Sequence, residues 1–433
     1  MSNEANDHDN HHDHDNHHDH DNHHDHDNHH ESGIRGNKNF ILSGLTSGHG
    51  IFHWFIQSFY VMIPAVKATF GISDVQVGQI LGTRELVGGL ISLPGGVITD
   101  YLRKHWGLVL AFCMFLFGIG WLVMASSGWI PMYPLLLVGM ALVGAAATIW
   151  HLPAMSALSH HFSHGHRGTA LSFHGVGGQI GDALAPLATG FLLTYLAWQQ
   201  ILSIYVVIPL LLTLLVYWAF KNIGNTAEAQ DVKIENQIAE TKSILKSPAL
   251  WLITIVGGLR GTAQVSVMTF FAIYVTEVLN YNIAIVGALL MVLTLTGIIS
   301  TPIMGNLSDR FGRKMILVPG LLLLAVMSIA FILVGNNLVL LVIVLLLLGM
   351  FLYSDQPILT AAALDIVGQG VAATTMGILG AARAGMVFIG LIVAGTLSEA
   401  YGIEFTYYFV SALFILALAI ILFTPMSKED QNN

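Results

Sequence analysis

The chain has 433 residues, 54% of them hydrophobic and only 10% charged, with 44 glycines and a formal net charge of −9. About a quarter of the residues in a soluble domain are charged, and no single water-soluble core holds this much apolar surface. Composition therefore excludes a water-soluble globular protein and leaves a bundle of membrane-spanning helices, in which glycine lets backbones approach closely.

The acidity belongs to the N-terminus. Residues 1–31 hold eight Asp, two Glu and no Lys or Arg, so the rest of the chain is nearly neutral. Within 1–36 the unit HHDHDN repeats at 11–16, 17–22 and 23–28. With no apolar side chain in the repeat to build a core, this tail is expected to be disordered. Neutral imidazoles beside carboxylates bind zinc, nickel or copper. His11, His12, His14, His17, His18, His20, His23, His24 and His26 are the predicted ligands. No cofactor is required. A cleavable signal starts basic and then turns apolar; this polar start predicts that the first apolar span stays as a helix. The single cysteine, Cys113, lies in an apolar run and rules out a disulfide framework.

From Phe40 the chain reads as apolar stretches of about 20 residues, the length that crosses roughly 30 Å of hydrocarbon. Helices are predicted near 40–64, 77–99, 107–126, 132–154, 169–196 and 200–220, then near 249–275, 283–304, 315–334, 338–361, 372–397 and 405–424. The expected fold is all-α: a polytopic membrane protein whose twelve transmembrane helices form two pseudo-symmetric six-helix bundles. The bundles span 37–220 and 249–425, with a hydrophilic linker at 221–248 and a tail at 426–433. Basic residues collect in cytoplasmic loops. With both termini cytoplasmic, 13 of the 17 Lys and Arg fall inside and only Lys67 falls in an outer loop. The predicted place is the plasma (inner) membrane.

The halves read as repeats. Gly96 and Asp100 precede Arg103 and Lys104 in the first, and Gly305, Asp309, Arg310, Gly312, Arg313 and Lys314 stand 209 residues later. Parallel six-helix repeats are a known transporter plan. The second set resembles the G-x-x-x-D-R-x-G-R-K signature of the major facilitator superfamily, and the first is a degraded copy with Tyr101 and Arg103 in place of Arg and Gly. Chemistry gives the signature a gating role: an Asp at a helix end pairs with basic residues and holds one face shut. The segment 148–192 and the start HGIFHWFIQSFYVMIPAV are similar to the fosmidomycin-resistance branch. His151 and Pro153 stand near that branch's H-P, with Leu152 between them and the following acid absent. The resemblance implies proton-driven efflux of small organic compounds.

Ionisable groups inside a bilayer cost about 2.5–3.5 kcal/mol each on insertion scales, and persist where they pair or line a wet cavity. In the superfamily, helices 1, 4, 7 and 10 line that cavity. This implies a wet position for His49, His53, Gln57, Trp150, His151, Arg260, Gln264, Tyr353, Asp355 and Gln356. The residues alone give a polar stripe of His49, His53 and Gln57 at i, i+4, i+8, with Arg260 and Gln264 as its counterpart 211 residues on. Three readings stand for His49 and His53: proton coupling, since imidazole titrates near neutral pH; a shared metal ion; or hydrogen bonds between helices. Arg260 either attracts an anionic group or pairs with Asp355. Asp182 either takes up a proton or pairs with a neighbouring helix. Arg84 and Glu85 are adjacent and are expected not to face the cavity together, with Arg383 as a partner for one of them. Gly175, Gly177, Gly178, Gly181 and Pro186 mark a helix that packs tightly or slides. His160, His161, His164 and His166 form a second metal-binding cluster, in the predicted cytoplasmic loop between the fourth and fifth helices.

Three function classes follow. One is a proton-coupled exporter of a small organic solute, anionic or drug-like; the second is a divalent-metal exporter fed by the tail. The third is a membrane-anchored metal sensor or store, which would not need two polar stripes. No nucleophile–base set, P-loop or cofactor fingerprint is present, so neither an enzyme nor an ATP-driven pump is expected. The expected partners are the lipid bilayer, a small-molecule substrate, protons and divalent metal ions, with no nucleic acid and a monomeric state.

Overall fold

A computed structural model describes residues 33–162, 164–224, 246–367 and 372–424. The tail histidines His11 to His26, most of the linker and the C-terminal tail lie outside the described residues, as do the side chains of Asp100 and His164 and the surroundings of Gly96. The described residues are helical with no β-strand. Twelve helices run in order: α1 Lys38–Phe70, α2 Asp74–Tyr101, α3 Trp106–Trp129, α4 Tyr133–His161, α5 His164–Leu192 and α6 Trp198–Phe220. The second half holds α7 Pro248–Val278, α8 Ile283–Phe311 and α9 Arg313–Leu333. It continues with α10 in two segments, Leu338–Leu352 and Asp355–Val367, then α11 Ala372–Tyr401 and α12 Glu404–Phe423. By length and composition alone, nine of these qualify as membrane spans among the described residues. The other three, α1, α2 and α5, carry imidazoles and charges that lower their apolar character.

Several ends differ from the sequence reading. α4 runs through His161, so His160 and His161 sit in its last turn instead of a loop, and His164 and His166 open α5. α10 breaks after Leu352. Pro357 explains the break: it has no N–H for the carbonyl of Tyr353, and its ring crowds that carbonyl.

The halves meet chiefly through α2 against α11 and α5 against α8. At one end the fit is tight: a Cβ on Gly190 would stand 3.0 Å from Gly287 Cα. Lys67 seals that end, with Nζ 2.8 Å from Asp74 Oδ1 and 3.0 Å from Glu277 Oε2 of the other half. The Ser398 hydroxyl donates to Asp74, and the Val75 N–H donates to Glu399 at 2.7 Å. Toward the opposite end, which carries the signature loops, the helices part. A Cβ at Gly175 of α5 or at Gly305 of α8 would meet no atom of a neighbouring element within 4 Å. The molecule is closed at the Lys67 end and open at the signature end.

Candidate transport pathway

α1 places His49, His53 and Gln57 one turn apart, on the side that faces α5. The glycines of α5 allow a close approach: a Cβ on Gly50 would meet the Gly177 carbonyl at 2.8 Å. One on Gly178 would stand 2.8 Å from His49 Cε1 and 3.0 Å from His53 Cδ2. Glycine at 178 thus makes room for two imidazoles side by side. Across this crossing the His53 ring stands with Nδ1 2.8 Å from Asp182 Oδ1, both side chains partly exposed at 33% and 12%. His49 Nδ1–H donates to the His174 carbonyl at 2.8 Å, and His151 Nδ1–H donates to the Ala147 carbonyl at 2.6 Å. The rings converge. His49 lies 4.5 Å from His53, 4.7 Å from His151 and 4.3 Å from His174, centroid to centroid. The first half thus gathers four imidazoles and a carboxylate from three helices.

His174 is the member that sequence reasoning missed. It lies in the segment already singled out for its glycines, one helical turn before Gly178 and on the same face. A histidine four residues before that glycine was a readable signal.

The counterpart in the second half is built differently. Arg260 is 1% exposed, its Nη2 2.6 Å from Asp355 Oδ1 and 2.6 Å from the Leu352 carbonyl, its Nη1 bonded to Gln356 Oε1 at 2.9 Å. The expected wet Arg260 is therefore a buried ion pair, one of the two alternatives. The physical reason is the break in α10, which frees the Leu352 carbonyl and presents Asp355 and Gln356 together. Gln264 on α7 is half-buried, while Gln57 is buried and within hydrogen-bonding reach of Tyr353 on α10.

The cation that faces open space is elsewhere. Arg84 and Glu85 pair with each other, and Arg383 Nη1 reaches Glu85 Oε2 at 2.9 Å across the two halves. All three line one cavity of about 210 Å³, floored by Gly88, Gly89 and Gly144. Adjacent residues thus do share the cavity, against expectation, because a long arginine reaches round the helix to its neighbour. Two guanidiniums and one carboxylate leave a net positive charge there. Arg383 and Gly380 also line a smaller space of about 80 Å³ beside Gln356 and Thr254.

At the signature loops, Arg313 pairs with Asp309 and stands 3.1 Å from Asp365 Oδ2, both on its own half. Lys314 donates to the Leu422 carbonyl at 3.3 Å, and Arg310 stacks on Phe311. In the degraded copy, Arg103 lies 5.9 Å from the Trp106 ring and 3.5 Å from His160. His161 bonds to the Ala157 carbonyl. Among the described residues, the histidines whose ligating atoms converge are His49, His53 and His151.

Comparison with known proteins agrees with this architecture. A bacterial homologue of the human lysosomal transporter Spinster, solved inward-facing and unoccupied, superposes with a TM-score of 0.77 over 92% of this chain and 98% of its own, at 14% identity. The uncharacterized MFS-type transporter YfnC of Bacillus subtilis is 27% identical, covering 88% of this chain and 92% of its own. The fosmidomycin resistance protein of Escherichia coli is 24% identical, over 64% of this chain and 67% of its own. A sequence model described as Major Facilitator Superfamily matches residues 45–384 and 255–433. With twelve helices, a paired-repeat signature and a cleft between halves all in place, the chain belongs to the Major Facilitator Superfamily and is a secondary transporter of the membrane, not an enzyme.

Proposed function

We propose that the protein exports a small organic solute across the plasma membrane in exchange for protons, with both termini in the cytoplasm and the signature end facing inward. The observation that carries this reading is the His53–Asp182 pair, 2.8 Å apart and partly exposed beside the open cleft. An imidazole hydrogen-bonded to a carboxylate is a fitting pair of groups to pass a proton, and α1 and α5, packed together within the first half, also meet α7 and α8 of the second. Arg84 and Arg383 would receive an anionic group, since Arg260 is already neutralised. A solute that binds both would compete with Glu85 for the bridge between halves. That its relative in Escherichia coli is a fosmidomycin resistance protein supports an organic cargo.

The test is transport in proteoliposomes with an imposed pH gradient and a panel of phosphonates and metals. His53→Ala and Asp182→Asn are expected to abolish dependence on the gradient while downhill exchange persists. Unchanged coupling in both variants would reject the assignment. His49→Ala is expected to act in the same direction through the shared cluster.

A second cargo, a divalent metal, is favoured by the convergence of His49, His53 and His151. Deleting the gene separates the two: sensitivity to nickel, cobalt or zinc without sensitivity to organic toxins favours the metal, and the reverse favours the organic solute.

A further inference from the structure

The histidine cluster has a geometry that proton coupling does not require. One ring nitrogen from each of His49, His53 and His151 lies within 4.8 Å of the other two. Each of these rings has its Nδ1 held by an oxygen: the His174 carbonyl, Asp182 Oδ1 and the Ala147 carbonyl, at 2.8, 2.8 and 2.6 Å. A carbonyl only accepts, so Nδ1 carries the hydrogen in His49 and His151. The lone pair is then on Nε2. Histidines that ligate metals are oriented in this way, with the second nitrogen donating to a carboxylate or a backbone carbonyl. A proton relay through His53 and Asp182 would not need two further imidazoles oriented in the same sense.

A separate observation points to a ligand. His174 is 3% exposed, and neither of its ring nitrogens makes a hydrogen bond at normal geometry. A buried imidazole held only by a loose contact to the Leu45 backbone keeps ligating capacity toward the space beside it. It stacks on His49 with ring planes 13° apart, which puts a fourth imidazole next to the other three.

We propose that His49, His53 and His151 form a transition-metal site inside the transport cleft, taking a late first-row divalent ion such as zinc, nickel or cobalt. Imidazole donors select these ions, while magnesium and calcium prefer oxygen cages. Three histidines leave the fourth position open, the pattern of exchangeable sites as opposed to closed structural ones. Metal–nitrogen bonds of about 2.0–2.1 Å put tetrahedral donors about 3.4 Å apart. The rings must therefore draw together by roughly 1 Å, which Gly178 leaves room for. Asp182 is a positioning residue here: it fixes the His53 ring.

The site stands apart from the proton-coupled reading, because its test reads binding and no transport. The full-length chain is prepared with its twelve tail histidines replaced by glutamine, so that the tail does not compete. Titration with Co²⁺ in detergent is followed by visible ligand-field absorption. One equivalent with the intense spectrum of a low-coordinate, nitrogen-ligated ion is expected. His49→Ala and His151→Ala are each expected to abolish that spectrum, and Asp182→Asn to weaken binding roughly 10- to 100-fold. His53→Cys keeps a donor in place and guards against misfolding: it is expected to retain Co²⁺ and to add a sulfur-to-metal charge-transfer band. Absence of a low-coordinate spectrum in the tail-substituted parent would overturn the proposal. So would the same spectrum persisting in both His49→Ala and His151→Ala.

Discussion

Arg260 and Arg383 are both arginines inside the bilayer, yet what stands across from each gives them opposite characters. Arg260 meets a carboxylate, an amide and a freed carbonyl, and its charge is spent within its own half. Arg383 shares one carboxylate with Arg84 and keeps donors toward the cavity. Truncating one member of a buried pair leaves the other charge uncompensated, at about 3–5 kcal/mol, whereas replacing both with apolar groups of similar size is far milder. Arg260→Leu and Asp355→Leu are each expected to lower the thermal midpoint in detergent sharply. The double variant is expected to be more stable than either single one. A double variant as unstable as the sum of the singles would remove the pair from the account. At this scale the sequence was partly legible. His49 and His53 stood out because their spacing puts them on one face. Asp182 stood out as a charge in an apolar run. That Asp182 meets His53 and not a basic residue is a fact of helix crossing, which no local pattern encodes. Lys67 carried a signal of its own, as the one basic residue on the side where no other falls, and it forms the seal.

Nine of the helices follow from apolar length alone, α1, α2 and α5 were read despite the polar groups they carry, and apart from the break in α10 only ends moved. α4 extends past its apolar run because nothing stops it before Phe162, and helix signals lie in caps more than in hydropathy. The break in α10 was written in Pro357, although a proline in a membrane helix more often bends than interrupts. Where helices touch is set by glycine. Gly190 and Gly287 bring α5 and α8 together at the closed end, and side chains there would wedge the halves apart. Gly190→Val is expected to shift the population away from the state closed at the Lys67 end, read as greater alkylation of a cysteine placed at Val278. If alkylation at that site stays at the parent level, the glycine contact is not what holds that end shut. The same substitution at Gly168, which meets nothing within 4 Å, is the control and is expected to be silent.

For the whole molecule, the charges are arranged as two latches at opposite ends. One is made: Lys67, Asp74 and Glu277 tie the halves together where they are closed. At the other end, where the halves are apart, Arg313 pairs with Asp309 and Asp365 of its own half. An alternating transporter needs both, each made only when the other is broken. The repeat of the signature 209 residues apart made the two-fold plan visible in the chain. The closed end was not visible, because its contacts join residues with no shared motif. Lys67→Gln removes the cation of the first latch and is expected to favour the state open at that end.

The most direct test is a pair of distances measured in one preparation by electron–electron spin resonance. Cys113 is buried, so labels placed by substitution at Ala68 and Val278 report the Lys67 end, and labels at Tyr101 and Phe311 report the signature end. Changing pH or adding a transported solute should lengthen the first distance as it shortens the second, with Lys67→Gln moving both in that same sense. Two distances that stay fixed, or that change together, would contradict a pathway that opens to each side in turn.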